Sequence, residues 1–521
     1  MVNGAGRPAP TLRSREFIGP LVTIGMVQLV AAMDGPIVVF ALPRIQNELG
    51  LSNAGRSWVV SAYLLTFGGL ILLGGRLGDT LGRKRTFILG VASFTAASAL
   101  CAVSWNEGSL VLARLLHGVA GAIVAPTCTA LLASAFPRGP ARNAAAAVFG
   151  ATAAIGAVLG LVLGGVLTGV SWRLIFVLNV PIGVLVIWLA RTMLEETQKE
   201  RKRLDVAGSV LATVVFISVV FGLSTAAEKG WSSATAMGLG LVAVTALVAF
   251  VAVERRAENP IVPFNLFRAR SRVASFAAIC LVSGISFTMT VLIALYLQNV
   301  VGYSPLRAGV AFIPVAIAMA VGTLAASRLV AMFSPRTMVI MGAALVLGGI
   351  FFGGSNLGRH EAYFPNLIVP IAVGAVGIGM ITVSLGLSVV GSVGPDRIGP
   401  VAAIIVMLQS LGGPVMLAFI QMVIALRLRR LGGTERPVRD MNASQLHALD
   451  LGYSDGLLWL AGVAVLLVVA ALFISYTAEE VAHAQNVMRN ADNAGVEAGA
   501  GPGVLQSESE SGSEPRRGGQ S

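Results

Sequence analysis

The chain has 521 residues, of which 55% are hydrophobic and only 12% are charged. A soluble protein of this length needs far more charge to cover its surface, and many windows exceed the roughly 18 apolar residues that a membrane-spanning helix requires. The composition therefore excludes a soluble domain and predicts an all-α polytopic membrane protein.

The net charge of +12 comes from cations clustered in short loops between apolar runs. Such clusters orient membrane proteins and contact anionic lipids, so we expect anionic membrane lipids, and no nucleic acid, as partners. Cys101, Cys128 and Cys280 lie inside apolar runs without metal-ligand spacing. We expect no disulfide, no metal and no cofactor.

Fourteen apolar runs, bounded by charged or turn residues, are long enough to cross a membrane. They cover approximately 17–42, 57–75, 86–104, 109–133, 143–168, 172–191, 205–225, 234–253, 273–299, 307–328, 336–354, 364–391, 400–424 and 456–476. An even number places both termini on one side. The polar segment 1–16 is not a signal peptide, and 477–521 has the composition of a disordered cytoplasmic tail.

The distribution of Lys and Arg predicts the orientation. With the N-terminus inside, the cytoplasmic segments hold 25 of them and the outer segments 11, while Arg114 lies within a span. The positive-inside rule thus favours cytoplasmic termini in the plasma membrane. The outer loop 425–455 opposes this bias with five arginines: Arg427, Arg429, Arg430, Arg436 and Arg439.

Asp34 is the one acid in the middle of an apolar run. A carboxylate inside a membrane span is costly and needs a partner or a function. In the structural interpretation, Asp34 pairs with Arg114 or faces water. In the functional interpretation, it binds a proton or a cationic substrate. We favour the functional interpretation. At 1.5 Å per residue, Asp34 and Arg114 lie roughly 12 and 8 Å from the outer ends of spans 1 and 4, so we expect a charge pair that weakens when Asp34 is protonated.

The loop Gly74–Thr86 concentrates four cations, one carboxylate and four glycines between spans 2 and 3. Glycines allow close packing of helices, the aspartate can accept hydrogen bonds at a helix N-terminus or pair with an arginine, and the cations anchor the loop inside. We predict a conformational latch that forms and breaks as the halves of the protein move. Its residues are Gly75, Gly78, Asp79, Gly82, Arg83, Lys84 and Arg85.

Spans 4 and 5 carry two further features. His117 follows Arg114 by three residues and shares its helix face, so it is either a proton relay or a packed, hydrogen-bonded histidine; the pattern does not choose between them. Span 5 has glycines at a spacing of four, which form a groove for another backbone. We expect the groove to be the seam between two halves, formed by Gly156, Gly160, Gly164 and Gly165.

An internal repeat supports two halves. Residues 137–145 after span 4 resemble 395–403 after span 12, and Gly118–Gly121 correspond to Gly374–Gly377. The offset of eight spans predicts six-helix bundles at 17–191 and 273–476, with two linker helices and loops at 192–272. Such repeats are typical of transporters that rock around a central site.

Several motifs resemble those of a known family. The stretch 75–85, GRLGDTLGRKR, resembles the signature loop of the major facilitator superfamily, and 114–118 is similar to its R-x-x-Q-G motif with His117 in place of glutamine. Residues 33–46 and 171–183 resemble motifs of its fourteen-helix drug:proton antiporter subfamily, and 47–87 is similar to mycobacterial efflux proteins. One departure is Leu161, which occupies the proline position of the span-5 motif G-P-x-x-G-G.

The resemblance implies the major facilitator fold, alternating access, cargo taken from the cytoplasm or inner leaflet, and inward proton movement. Our leading hypothesis is a proton-coupled exporter of hydrophobic or amphipathic small molecules; a lipid exporter or flippase-like protein is the alternative. An enzyme is disfavoured because paired intramembrane acids and HExxH are absent from the sequence, and a sensor because no output domain is recognisable. Helix position suggests that the cavity is lined by Gln28, Phe287, Met289, Met380 and Thr382.

Overall fold

The computed structural model describes residues 15–136, 140–196, 206–257, 264–329, 332–355, 363–393, 398–432 and 442–476. In these ranges the chain forms helices and no strand. Fourteen helical spans are long and apolar enough to cross a membrane, which confirms the predicted number. The predicted tail 477–521 lies outside the described residues.

Sixteen α-helices build these spans. Their bounds are α1 Arg15–Leu49, α2 Asn53–Leu81, α3 Arg83–Ala102, α4 Glu107–Ala135, α5 Pro140–Val170, α6 Leu174–Val177, α7 Asn179–Met193, α8 Val206–Lys229, α9 Ala234–Arg256, α10 Arg270–Asn299, α11 Pro305–Ala311, α12 Ile313–Leu329, α13 Pro335–Ser355, α14 Ile368–Gly391, α15 Ile398–Arg430 and α16 Ala443–Leu472. Together, α6 and α7 form one span, as do α11 and α12. A 3-10 turn precedes α10 and a π-helical turn precedes α14.

The same helix pairings occur twice. In the N-terminal bundle α1 packs on α4, α5 and α7, α4 also packs on α2 and α3, and α3 packs on α7. In the C-terminal bundle α10 packs on α14, α15 and α16, α14 also packs on α12 and α13, and α13 packs on α16. Each helix of the N-terminal bundle thus corresponds to the helix eight spans later in the C-terminal bundle. The fold is two six-helix bundles with two inserted helices.

The inserted helices attach at one side of the molecule. Helix α8 packs on both α2 and α15, and α9 packs on α8. The approach of α8 is close, since a Cβ on Gly69 would lie 2.2 Å from Oγ1 of Thr213. Apolar side chains of all three helices, among them Trp58, Val220 and Leu411, form one cluster. Helix α8 therefore covers the junction between α2 and α15.

The two bundles meet near one end, here named the Arg44 end, which holds residues 44–56. The opposite end, which holds residues 82–85, is named the Arg83 end. Near the Arg44 end, the rings of Phe40 and Phe312 lie 5.3 Å apart in an edge-to-face arrangement. Ser57 of α2 also donates a hydrogen bond to Gln421 of α15.

Two predicted boundaries are wrong besides the end of span 2, which lies at Leu81 rather than 75, so that only Gly82 separates α2 from α3. Helix α1 continues past Pro43 to Leu49, because its last turns are bound to the C-terminal end of α5: Arg44 donates to the carbonyl oxygens of Gly169 and Val170 at 2.8 and 2.9 Å. Asp34 therefore lies fifteen residues from the end of its helix, about 22 Å at 1.5 Å per residue, which is deeper than predicted.

The second wrong boundary is the loop 425–455. Helix α15 extends to Arg430, and α16 begins at Ala443 with a capping box between Asn442 and Gln445. The polar residues there do not end a helix because they pair across helices, as Arg427 does with Asp455 at 2.8 Å. Three of the five arginines are therefore helical, and Arg436 and Arg439 lie outside the described residues.

Candidate functional site

Asp34 and Arg114 form a fully buried ion pair. Nη1 of Arg114 lies 2.9 Å from Oδ2 of Asp34, and both side chains are 1% exposed. Nε of Arg114 donates to the carbonyl oxygen of Val59 at 2.9 Å. The two residues that we expected from the sequence to form a charge pair are thus in contact in the structure. A buried pair of this kind is maintained by matched geometry, since its desolvation cost is several kcal/mol per ion.

The packing of α4 on α2 positions the arginine. A Cβ on Gly118 would lie 2.2 Å from the carbonyl oxygen of Tyr63, so this glycine lets the two backbones come into contact. The guanidinium carbon of Arg114 then lies 4.7 Å from the ring centroid of Tyr63, where a cation is attracted to the ring face. The arginine is therefore held by α1 and α2 together.

His117 belongs to the same network. Its Nδ1 lies 3.0 Å from Nη1 of Arg114 and its Nε2 lies 2.9 Å from Oγ of Ser98. Because a guanidinium only donates hydrogen bonds, Nδ1 is the acceptor, and the neutral ring carries its proton on Nε2 and donates to Ser98. The ring of Phe94 covers it at a centroid distance of 4.0 Å. His117 is thus packed and hydrogen-bonded, and it lies 3.8 Å from Oδ1 of Asp34.

Sequence reasoning missed three members of this network: Tyr63, Ser98 and Asn179. Nδ2 of Asn179 donates to Oγ of Ser98 at 3.3 Å, and Asn179 is 3% exposed. The signal for Asn179 was present, since it is a lone amide in the apolar run 174–190. Ser98 carried no such signal, because serines are common in apolar helices of this chain.

A cavity of about 1100 Å³ lies beside the network. Residues of α1 to α5 and α7 line it, together with Ala402 and Val406 of α15. The lining is mainly apolar and extends from Gly35 and Asn179 to Arg76 and Arg83. The cavity therefore runs from the buried network towards the Arg83 end, while the bundles meet near the Arg44 end.

Of the residues predicted to line the cavity, Gln28 does so and four do not. Met289 borders a separate cavity of about 30 Å³, and Met380 packs with Ala326 and Met338. Phe287 lies against Gly413, and Thr382 donates to the carbonyl oxygen of Ile378. The prediction failed because a helix's place in the bundle does not specify which of its faces points to the centre.

Comparison with known proteins identifies the family. The model of the Major Facilitator Superfamily matches residues 24–417. The chain belongs to this superfamily. The superfamily consists of transporters rather than enzymes, and its members in this comparison include drug and antibiotic exporters.

Two relatives illustrate the similarity. The uncharacterized MFS-type transporter EfpA of Mycobacterium tuberculosis H37Rv is 58% identical over 92% of this chain and 91% of that protein. The puromycin resistance protein pur8 of Streptomyces alboniger is 34% identical over 87% of this chain and 90% of that protein. Such coverage shows that the similarity extends over nearly the whole transporter.

Two solved structures share the fold. One is an inward-facing, unoccupied bacterial homologue of the human lysosomal transporter Spinster, with a TM-score of 0.60, 14% identity, and coverage of 90% of this chain and 98% of that one. The other is the human organic anion transporter MFSD10, with a TM-score of 0.56, 16% identity, and coverage of 87% and 99%. At these identities the likeness concerns the fold alone.

The superfamily's signature loop is bound to the N-terminal bundle. Arg83 donates to the carbonyl oxygen of Ala130 at 3.2 Å, and Nζ of Lys84 donates to those of Arg191 and Leu194 at 2.9 and 2.6 Å. Asp79 lies in α2, and its side chain is outside the described part of the chain. Because these contacts stay within one bundle, the latch between halves remains a proposal.

Glu196 completes the loop and was missed by the sequence analysis. Its carboxylate accepts the backbone N–H groups of Lys84 and Arg85 at 3.1 and 3.2 Å, and Nε of Arg85 lies 3.7 Å away. Gly82, with φ of 98°, makes the turn between α2 and α3 that exposes these groups. An acid that follows α7 thus caps α3, which is one of the two roles considered for Asp79.

The glycines of the loop also differ from expectation. A Cβ on Gly78 would lie 3.1 Å from Thr127, whereas one on Gly75 would meet its nearest neighbour at an ordinary 3.5 Å. The close approach is at Gly74, where a Cβ would lie 1.9 Å from the carbonyl oxygen of Ala122. Gly75 instead borders the cavity.

The predicted seam in span 5 is mostly wrong. Gly156, Gly160 and Gly164 pack against Leu29, Met33 and Ile37 of α1, which belongs to the same bundle. Gly165 does face the other bundle, since a Cβ there would lie 2.4 Å from Cα of Leu306. Gly309, which the sequence analysis missed, allows α11 to contact the carbonyl oxygen of Leu161. A glycine groove shows that a backbone is near but does not say which one.

Proposed function

We propose that this protein is a proton-coupled exporter of hydrophobic or amphipathic compounds that works by alternating access. The observation that carries the proposal is the buried ion pair of Asp34 and Arg114 beside a large apolar cavity. Intramembrane acids of this kind are functional by default, and drug and antibiotic exporters are among the relatives.

Protonation of Asp34 supplies the coupling. The neutral acid no longer compensates the charge of Arg114, which is fully buried and bonded to α2 through Val59. An uncompensated buried cation is costly, so protonation favours a different arrangement of α1 against α4. Because α1 also contacts α10 and α11 of the other bundle, this rearrangement reaches the contact between the halves.

The size and lining of the cavity indicate the class of cargo. Its volume of about 1100 Å³ and its mainly apolar lining suit amphipathic molecules of drug size, with Gln28, Thr95 and Thr129 as neutral hydrogen-bonding groups. The excess of Lys and Arg in the segments on the Arg83 side supports a cytoplasmic position of that end in the plasma membrane. Both termini are then cytoplasmic, and the cations there contact anionic lipids.

A lipid exporter is the second candidate. The cavity is large, apolar and bordered by Arg76 and Arg83 near its cytoplasmic end, so it suits acyl chains as well as drugs. Mass spectrometry of lipids retained by the purified protein separates the candidates. One lipid retained at a one-to-one ratio, and displaced by competing lipid but not by drugs, supports lipid export.

Proteoliposomes test the proton coupling. With the neutral dye N-phenyl-1-naphthylamine as cargo and an imposed pH gradient, we expect uphill transport by the wild type and none by Asp34→Asn. Asp455→Asn is the matched control, since Asp455 also pairs with an arginine but its side chain is 33% exposed. Uphill transport by Asp34→Asn at the wild-type rate would contradict the proposal.

A further inference from the structure

A partition of three side chains separates the cavity from the ion pair. Tyr63, Phe94 and Asn179 line the cavity, and each also contacts the network behind it, through Arg114, His117 and Ser98 respectively. Asp34, Arg114, His117 and Ser98 are at most 1% exposed and do not line the cavity. Val30, Ala31 and Gly35 of α1 complete this wall without a polar side chain, so we consider the partition as the route of a proton between Asp34 and cavity water.

The two aromatic residues close the partition with ring faces. The ring of Phe94 lies against that of His117 at a tilt of 47° and has no polar atom in its side chain. Tyr63 presents its ring face to Arg114. Its hydroxyl lies beside Gly121, where an added Cβ would be 3.0 Å from the hydroxyl oxygen. Gly121 is seven residues beyond Arg114, about 10 Å along α4. Neither ring thus offers a hydrogen-bonding group towards Asp34.

Asn179 is the polar member of the partition. Its carboxamide donates to Ser98 and also interacts with Asp34. Oδ1 of Asp34 is buried and has no hydrogen-bond partner among the described residues, so one oxygen of the carboxylate is left for a further donor. Asn179 therefore adjoins both the cavity and the acid, one of whose oxygens has no hydrogen-bond partner among the described residues.

A missing helical hydrogen bond lies next to Asn179. The short helix α6 ends at Val177 and α7 begins at Asn179. Pro181 lacks an N–H group for the carbonyl oxygen of Val177, which favours an interruption at this point. The backbone stays helical at Leu178 (φ −54°, ψ −36°), so the missing hydrogen bond at Val177 is what loosens the turn that carries Asn179.

We propose that Asn179 is the gate for the proton, a positioning residue that holds water between the cavity and Oδ1 of Asp34. In the step, the O–H bond of protonated Asp34 breaks and its proton passes to this water, which gives a carboxylate and a hydronium ion in the cavity. The reverse step loads the acid. Ser98, itself bonded by His117, fixes the amide when the gate is closed.

The other titratable groups around Asp34 do not offer this path. They are Tyr63 of α2, Cys101 of α3, and Arg114 and His117 of α4. Of these, Tyr63 lines the cavity, and its hydroxyl points to Gly121. The proposal rests on the proposed function, because it needs Asp34 to exchange a proton with the cavity.

Stopped-flow detection of proton release tests the gate. The purified protein in weak buffer with the pH dye pyranine is mixed with N-phenyl-1-naphthylamine. We expect Asn179→Leu, which keeps the size but removes the amide, to release protons at least tenfold more slowly. Exchange of the dye across proteoliposomes without a gradient measures any effect of the variant on the cavity wall. We expect the ratio of proton release to dye exchange to fall at least tenfold, because the ion pair is intact. Thr245→Val is the control, because Thr245 bonds to its own helix α9 and does not line the cavity.

Asn179→Ser provides the rescue, since a small hydroxyl leaves room for water; we expect release within threefold of wild type. Wild-type release by Asn179→Leu would overturn the gate. Loss of both release and exchange in both variants would overturn it too, since the role is then structural. Absence of proton release from the wild type is a different result, because it overturns the proposed function itself.

Discussion

Nη1 of Arg114 and Oδ2 of Asp34 lie 2.9 Å apart in a site where each side chain is 1% exposed. The same Nη1 lies 3.0 Å from Nδ1 of His117. One guanidinium therefore holds the acid and the histidine together, so any change in the charge of the acid acts on both.

Loss of the arginine alone should destabilise the protein more than loss of the pair. Arg114→Gln leaves a buried carboxylate without its cation, at a cost of about 3–5 kcal/mol. We expect a lower thermal midpoint in detergent, and at least half of the loss restored in Arg114→Gln combined with Asp34→Asn. The partly exposed pair Arg427 and Asp455 is the control, with about 0–1 kcal/mol at stake. Additive effects at the buried pair would contradict the coupling.

His117 should be replaceable by the residue that the family motif carries. In His117→Gln, the amide can accept from Arg114 and donate to Ser98, as the neutral histidine does. We expect pH-driven dye transport within threefold of wild type, and at least a tenfold loss in His117→Leu, which leaves buried donors unpaired. If glutamine abolished the pH-driven component and spared exchange, His117 itself would have to carry the proton.

Adjacent glycines of the signature loop should respond differently. Gly74→Ala places a Cβ 1.9 Å from the carbonyl oxygen of Ala122, whereas Gly75→Ala meets nothing closer than 3.5 Å. We expect the first variant to separate α2 from α4 and to lower the thermal midpoint and the yield of folded protein. The second should match wild type in both. Equal behaviour of the two variants would argue against the tight packing at Gly74.

The contact between bundles near the Arg44 end can be tested at Gly309. Gly309→Ala places a Cβ 2.3 Å from the carbonyl oxygen of Leu161, so α5 and α11 must separate by about 1 Å to restore a van der Waals contact. We expect more of the protein to open at this end. Spin labels at Trp105→Cys and Leu431→Cys, in a background without native cysteines, should show a larger population of long distances.

The control for this measurement is Gly169→Ala, since a Cβ there meets nothing within 4 Å. Its distance distribution should match that of the parent. A Gly309→Ala distribution that is identical to the parent's would show that this contact does not hold the bundles closed.

Glu196 should matter as a helix cap. Glu196→Ala removes the acceptor for two backbone N–H groups of α3, and loss of a side-chain cap costs about 1 kcal/mol. Glu196→Gln keeps an acceptor oxygen and should recover most of the midpoint. If both variants lost the same amount, the charge rather than the cap would stabilise the loop.

The linear sequence contained the number of spans, the repeat and the pairing of Asp34 with Arg114. These follow from terms that act along the chain: a membrane span needs a continuous apolar run, and an acid or base inside such a run needs a partner. Asp34, Arg114 and His117 were found because they are exceptions in apolar surroundings.

Tertiary packing decided the rest. Gly156 and Gly165 look alike in sequence, yet one contacts α1 of its own bundle and the other contacts Leu306 of the opposite bundle. Met289 and Met380 were expected at the cavity and are packed elsewhere, and Asn179 was overlooked at its wall. Which face of an apolar helix meets lipid, another helix or a cavity depends on the rotation of each helix in the bundle, and every face of such a helix is apolar.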